Sequence, residues 1–355
     1  MRILYLISNI KQCGPYRVLE SLINDSNNNT FAVISLFGND DKKIVNDLKK
    51  KNIYVDCLNL SKFNIFFKGF KELKKVINIF KPNIIHSHGI LPDYLVSKVK
   101  IAKKISTLHN NMYEDYLYSF GRIKSFILIR WHQHIYKSFD NVVCCSKSIY
   151  DYMIKKNKKI KFSYVENGID PIKIQNKDSI REKIREELNI SKEDIVFIYT
   201  GVISNRKKVV ELIELFLKTK IKYNYKLLIL GNGPLFEKCS DLSKHNKNII
   251  MLGYKKDVMP YLIASDVYVS NSSSEGLSIS VLEALMLDKT LLLSEIPSHI
   301  ENIKMIKSYC GKNFNDESFE QIINNLDIKN NYSQEDYYLI SSERMVKEYE
   351  EIYKY

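Results

Sequence analysis

The chain of 355 residues contains no run approaching 18 uninterrupted apolar residues, so no membrane-spanning helix is expected. A cleavable leader is also not expected. The apolar opening Met1–Asn9 is short, and Lys11, Gln12 and Arg17 follow where a small-residue cleavage site would stand. A first buried strand is the better reading of that segment. The six cysteines, Cys13, Cys57, Cys144, Cys145, Cys239 and Cys310, include no Cys-x-x-Cys pair. That argues against a disulfide framework or a zinc site and for reduced cytosolic thiols. No short-period repeat, low-complexity segment or recognisable nucleic-acid-binding module stands out. Hydrophobic residues make up 45% of the chain and charged residues 27%, a globular composition that argues against disorder.

The charge is present but unevenly placed. Residues 1–170 carry 28 lysines and arginines against 14 acids, net +14, whereas residues 171–355 carry 26 against 27. A one-sided basic balance points to an anionic partner, either a membrane surface or nucleic acid. Two segments stand out. Lys62–Ile77 is aromatic, basic and roughly amphipathic, and reads either as a helix lying on an anionic bilayer or as one packing on a sheet. Lys155, Lys156, Lys158, Lys159 and Lys161 form a plainer cationic cluster, open to the same membrane reading or to that of a solvated helix end.

Short apolar strands alternate with helical patterns along both halves. Strands are expected at Ile3–Ser8, Phe31–Phe37, Ile53–Leu58, Asn83–His88, Ile105–His109, Asn141–Cys145 and Phe162–Val165. A second series is expected at Ile195–Thr200, Lys226–Leu230, Ile249–Leu252, Asp266–Ser270 and Thr290–Ser294. Such alternation means α/β architecture with parallel sheets covered on both faces. Two runs of similar size give two doubly wound, Rossmann-like domains facing a central cleft, 1–170 and 171–335. The seam lies at the turn-rich Asn167-Gly168-Ile169-Asp170-Pro171. A final amphipathic helix is expected over Ser341–Tyr353, within a segment 336–355 that packs back toward the first domain.

The most informative stretch is Ser272-Ser273-Ser274-Glu275-Gly276-Leu277-Ser278, followed by a helix carrying Glu283. A strand runs into small residues, an acid, a glycine and the helix mouth. The N–H groups of Gly276 to Ser278 gather partial positive charge there, which suits a diphosphate, with carboxylates beside it for sugar hydroxyls. The two acids resemble the Glu-x7-Glu motif of family 4 glycosyltransferases, retaining enzymes of the GT-B fold. Other segments follow in that family's order: the loop Cys13-Gly14-Pro15, Pro82–His88 with His86 and His88, Thr107-Leu108-His109-Asn110, Val165–Asp170, the loop Gly201–Lys208, and Leu230-Gly231-Asn232-Gly233-Pro234. His86 and His88 share one strand face, but no third ligand at suggestive spacing accompanies them, and no metal site is expected.

The resemblance implies roles for particular residues. His109 would lie near the reacting sugar, and Lys207 would stabilise the leaving diphosphate as negative charge develops on it. Glu275 with the backbone of Gly276, Leu277 and Ser278 would hold sugar and diphosphate, and Glu283 the nucleotide ribose. Gly14 and Gly231 would belong to the donor loops. The family's arginine after the loop glycine is Val202 here, so Arg206 is the candidate replacement. Its usual Gly or Asn after the lysine is Lys208. The chain lacks the Asp-x-Asp with which other glycosyltransferases hold a metal-bound donor. The expectation is a metal-independent enzyme without cofactor. It would move a sugar from a nucleotide-diphosphate sugar, UDP-linked in preference to GDP-linked, to a glycan or lipid-linked acceptor. The implied setting is bacterial surface polysaccharide assembly (lipopolysaccharide, O-antigen or capsule), in the cytoplasm and on the inner face of the membrane. Nucleic acid is not an expected partner. Two alternatives remain: a nucleotide-sugar epimerase of the same fold, or a non-catalytic cationic membrane- or nucleic-acid-binding protein.

Overall fold

A computed structural model describes residues 1–26, 29–328 and 332–354. The chain forms two compact units: Met1–Ile169 together with Ser342–Tyr355, and Asp170–Ser341. Unit 1 holds β1 (Arg2–Ile7), β2 (Thr30–Ser35), β3 (Tyr54–Cys57), β4 (Ile84–His88), β5 (Lys103–Leu108), β6 (Asn141–Cys144) and β7 (Phe162–Tyr164). They form one sheet in the order β3-β2-β1-β4-β5-β6-β7 with every pairing parallel. Unit 2 holds β8 (Ile195–Thr200), β9 (Tyr225–Leu230), β10 (Ile249–Gly253), β11 (Val267–Ser270), β12 (Thr290–Ser294) and β13 (Gly311–Phe314). Its order is β10-β9-β8-β11-β12-β13, again all parallel.

Parallel strands are joined through crossover helices, which cover both sheet faces. The central strands are therefore apolar on consecutive residues instead of alternate ones. Ile3, Leu4, Tyr5 and Leu6 of β1 and Leu291, Leu292 and Leu293 of β12 are all fully buried. In both units the strand order reverses at one place, between β1 and β4 and between β8 and β11. Ligands of doubly wound sheets gather beyond the carboxyl ends of the strands at such a reversal.

The structure departs from the sequence expectations at several points. β13 was not anticipated: its residues, Gly-Lys-Asn-Phe, lack an apolar run, and among the described residues only β12 pairs with it. The segment Lys62–Ile77 is not one helix. It divides into the turn Asn64–Phe67 and the helix Gly69–Phe80, which buries Leu73, Val76, Ile77 and Phe80. The last segment also divides. Helix Gln334–Leu339, closed by a capping box between Ser333 and Asp336, stays with unit 2, and helix Ser342–Lys354 belongs to unit 1.

A buried polar network fixes that final helix in unit 1. The Tyr353 hydroxyl lies 3.2 Å from the Tyr5 hydroxyl and 2.7 Å from His86 Nδ1. His86 Nε2 meets Thr107 Oγ1 at 2.8 Å, and Thr107 Oγ1 meets the Tyr349 hydroxyl at 2.7 Å. Arg344 donates to the carbonyls of Glu166 and Asn167. Both ring nitrogens of His86 are therefore spent on structure.

Candidate active site

In unit 2, the β8–helix and β11–helix loops meet at the reversal point. After β8 the chain passes Gly201 and makes a single 3-10 turn, Asn205–Lys207, which leads into helix Val209–Lys218. After β11 it runs through Asn271–Leu277 to Ser278, the N-cap of helix Ile279–Met286. The helix therefore starts at Ile279, just past Gly276, Leu277 and Ser278, and Glu283 is buried in its second turn. The loops are tied together through the Arg206 carbonyl, which accepts from both the backbone N–H and the hydroxyl of Ser273, each at 2.9 Å. The loop after β9 closes against them. A side chain at Gly231 would stand 1.8 Å from the Gly201 carbonyl oxygen, so only glycine fits there. Lys208 sits in the left-handed region at φ 46°, ψ 43°. This accounts for Gly or Asn as the family's usual choice at that position.

These tied loops assemble an ion cluster. Lys207 Nζ donates to Glu275 Oε1. Arg206 Nη1 donates to Glu275 Oε2 at 3.1 Å and to the Ser274 carbonyl at 2.5 Å. Ser272 Oγ donates to Glu275 Oε1 at 2.6 Å. Burial alone would raise the Glu275 carboxyl, but the adjacent Lys207 and Arg206 outweigh it and hold the group at about 2. Glu275 is therefore ionised at neutral pH. A carboxylate has about four acceptor sites, and these contacts leave room for a further donor such as a sugar hydroxyl.

Sequence reasoning missed His299, which is fully buried beside this cluster. Its Nδ1 lies 2.9 Å from Ser294 Oγ, which itself donates to the Ser272 carbonyl at 2.6 Å. Burial pushes the His299 imidazole down to about 4, with Glu275 opposing that and Lys207 adding to it, so it is neutral at pH 7. Its position just beyond β12, the strand next to β11, was the available signal.

Gly14 and His109 belong to unit 1. Gly14 opens helix Gly14–Asn24 beyond β1, with Pro15 in the first turn and open space where a side chain would stand. His109 follows β5 directly, and its Nε2 lies 2.8 Å from His88 Nδ1. Burial lowers His109 to about 4, so the pair shares one hydrogen between neutral rings. Among the described residues, no group of three or more His, Cys, Asp or Glu is placed to hold a metal ion. None of the helices is long and apolar enough to cross a membrane, among the described residues.

Two doubly wound units with all-parallel sheets have the architecture of the GT-B fold. Residues 180–343 match the family described as glycosyl transferases group 1, and residues 32–173 match glycosyltransferase family 4. The chain belongs to the family 4 glycosyltransferases. It is 28% identical over 316 residues to the O-antigen biosynthesis glycosyltransferase WclY of Escherichia coli, covering 85% of this chain and 82% of that protein. It is 26% identical over 262 residues to the Escherichia coli UDP-Gal:alpha-D-GlcNAc-diphosphoundecaprenol alpha-1,3-galactosyltransferase, covering 68% of this chain and 64% of that one. Among solved structures, Anabaena Alr3699/HepE in complex with UDP-glucose superposes with a TM-score of 0.74 at 14% identity, over 98% of this chain and 95% of that one.

Proposed function

We propose that the protein is a retaining glycosyltransferase of bacterial surface polysaccharide assembly, taking its donor as a UDP-sugar. Unit 2 binds the donor, and the acceptor is a glycan or a lipid-linked saccharide. The observation that carries this reading is the Arg206–Lys207–Glu275 cluster at the β8/β11 reversal, beside the N-terminus of helix Ile279–Met286. The two cations and the N–H groups of Gly276, Leu277 and Ser278 receive the diphosphate, and they supply the positive charge that a metal ion gives in other sites. Glu275 keeps both cations aimed and accepts from the sugar, while Glu283 accepts from the ribose. As the bond from the anomeric carbon to the diphosphate oxygen breaks, the acceptor oxygen bonds to that carbon on the same face. The departing diphosphate oxygen takes the acceptor proton. His109 of unit 1, neutral at pH 7, keeps in this proposal the role toward the reacting sugar that the family resemblance implies. The similarity to an enzyme named for a diphosphoundecaprenol acceptor supports the lipid-linked reading, and the basic first half supports work at the inner face of the cytoplasmic membrane.

A panel of UDP-, GDP- and ADP-sugars tests this, with nucleotide release and thermal stabilisation as readouts. A UDP-sugar should stabilise the wild type and release UDP with EDTA present. Donor conversion to an epimer without any acceptor, or activity lost to EDTA and restored by Mn²⁺, would refute the proposed reaction.

A further inference from the structure

Unit 1 carries an exposed apolar face that neither the sheet core nor the His109 region uses. Phe63 precedes the turn Asn64–Phe67 and Phe67 ends it, and each is 82% exposed. Helix Met112–Tyr136 breaks at Gly121, where φ is 73° and ψ 176°, and the part beyond exposes Ile123 at 80%, Phe126 at 63% and Ile127 at 61%. The two elements adjoin: the Phe66 ring lies 6.2 Å from that of Trp131 in this helix, and the Tyr94 ring is tilted against both at 5.1 and 5.5 Å. Ile123, Ile127 and Trp131 are four residues apart, so they line one helix face running from that aromatic cluster toward the break.

The charge around the face is of one sign. The sequence has no acid between Asp56 and Glu72 and none between Asp115 and Asp140. Lys62, Lys68, Arg122 and Lys124 are all exposed within those stretches. The Arg130 guanidinium lies over the Phe126 ring at 5.7 Å. Contiguous exposed apolar groups on a soluble surface mark an interaction site, and long basic side chains among them match a layer that is apolar below and anionic at its surface.

We infer that this face, the Asn64–Phe67 turn with the 122–131 part of the kinked helix, seats unit 1 on an anionic lipid bilayer. Phe63, Phe67, Ile123 and Phe126 enter the headgroup boundary, and the neighbouring cations pair with lipid phosphates. A second copy of this chain is the poorer occupant. Two-fold packing would set this patch against the same patch, bringing Lys62, Lys68, Arg122 and Lys124 toward the second copy's like charges with no acid in either stretch to pair with them. The inference rests on the reading that the protein works at a membrane, and it names the surface that does so.

Flotation of the full chain with vesicles tests it. The wild type should float with phosphatidylglycerol–phosphatidylcholine vesicles and not with phosphatidylcholine alone. Phe67→Ser with Ile123→Ser should lower the bound fraction at least about tenfold. Arg122→Gln with Lys124→Gln should lower it and flatten its salt dependence. All four sites are exposed, and thermal stabilisation by UDP should match the wild type in every variant. If the wild type ignores anionic vesicles at low salt, both the membrane reading and this face fall. If it floats and the variants float equally, only the face is wrong. A dimer without vesicles that Phe67→Ser with Ile123→Ser dissociates would reassign the face to self-association.

Discussion

Replacing Glu275 with glutamine keeps the shape of the side chain and removes the charge that Lys207 and Arg206 share. In the unfolded chain the carboxyl titrates near its ordinary 4.5, and in the folded one it is held at about 2. At about 1.4 kcal/mol per tenfold, that difference is worth about 3 kcal/mol of stability to the ionised form. The folded value is the depressed one, so the contribution is complete above about pH 4.5 and is lost as pH falls toward about 2. Near pH 3, roughly 1.4 kcal/mol should remain. Glu275→Gln should therefore cost about 3 kcal/mol at pH 7, roughly half that near pH 3, and little below about pH 2. The single tryptophan, Trp131, lies in unit 1 and reports the wrong unit. Urea unfolding followed by hydrogen exchange at the β8 and β11 amides is the suitable assay. An equal loss at pH 7 and pH 3 would show that the cost comes from shape and not charge. No loss at pH 7 would mean that the cluster does not stabilise unit 2 at all.

Lys207→Ala should lower turnover on the order of 10²-fold, the usual scale for losing one electrostatic stabiliser of a leaving group. Arg206→Ala should do less, and the opposite ranking in steady-state rates would shift the main phosphate contact by one residue. Glu283→Ala should weaken UDP-sugar binding at least about tenfold, since hydrogen bonds to a charged group are worth roughly 1.5–3 kcal/mol each. Unchanged affinity by calorimetry in a folded variant would remove Glu283 from the donor site. Tyr353→Phe should destabilise unit 1 by about 1–3 kcal/mol, because His86 Nδ1 is left buried without its partner. A tryptophan-fluorescence unfolding midpoint equal to the wild type's would show that the network does not hold the last helix.

The fold was legible wherever a strand is buried on both faces. Ile195–Thr200 and Thr290–Ser294 match their expected bounds, and β1, β4 and β6 differ by a residue or two. Their consecutive apolar residues are what a parallel central strand requires, and that pattern survives without knowledge of the partners. β13 was not legible for the opposite reason. An edge strand of four residues with Lys312 and Asn313 at its centre has no such requirement, and its identity comes from pairing with β12. The division of Lys62–Ile77 was hidden because periodicity cannot distinguish one amphipathic helix from two. Gly69, where a side chain would meet the Leu95 methyl at 2.8 Å, marks the break.

At the candidate site, the backbone was more legible than the side-chain chemistry. Glycines where two loops must touch, such as Gly231 against Gly201, leave a trace in the sequence because no other residue fits. The pairing of Lys207 and Arg206 with Glu275 leaves none, because the partners stand 68 and 69 residues apart and any basic run near any acid reads alike. The structure also changes what the acid does first. Glu275 is the anion that gathers two cations which would otherwise repel each other at a partly buried helix mouth. In the proposed reaction a diphosphate arriving there would meet charges already fixed in place, with little reorganisation left for the reaction to supply. His299 extends the same logic. A neutral imidazole, anchored through Ser294 to the Ser272 carbonyl, braces the loop that presents Glu275 without adding a third cation to the cluster.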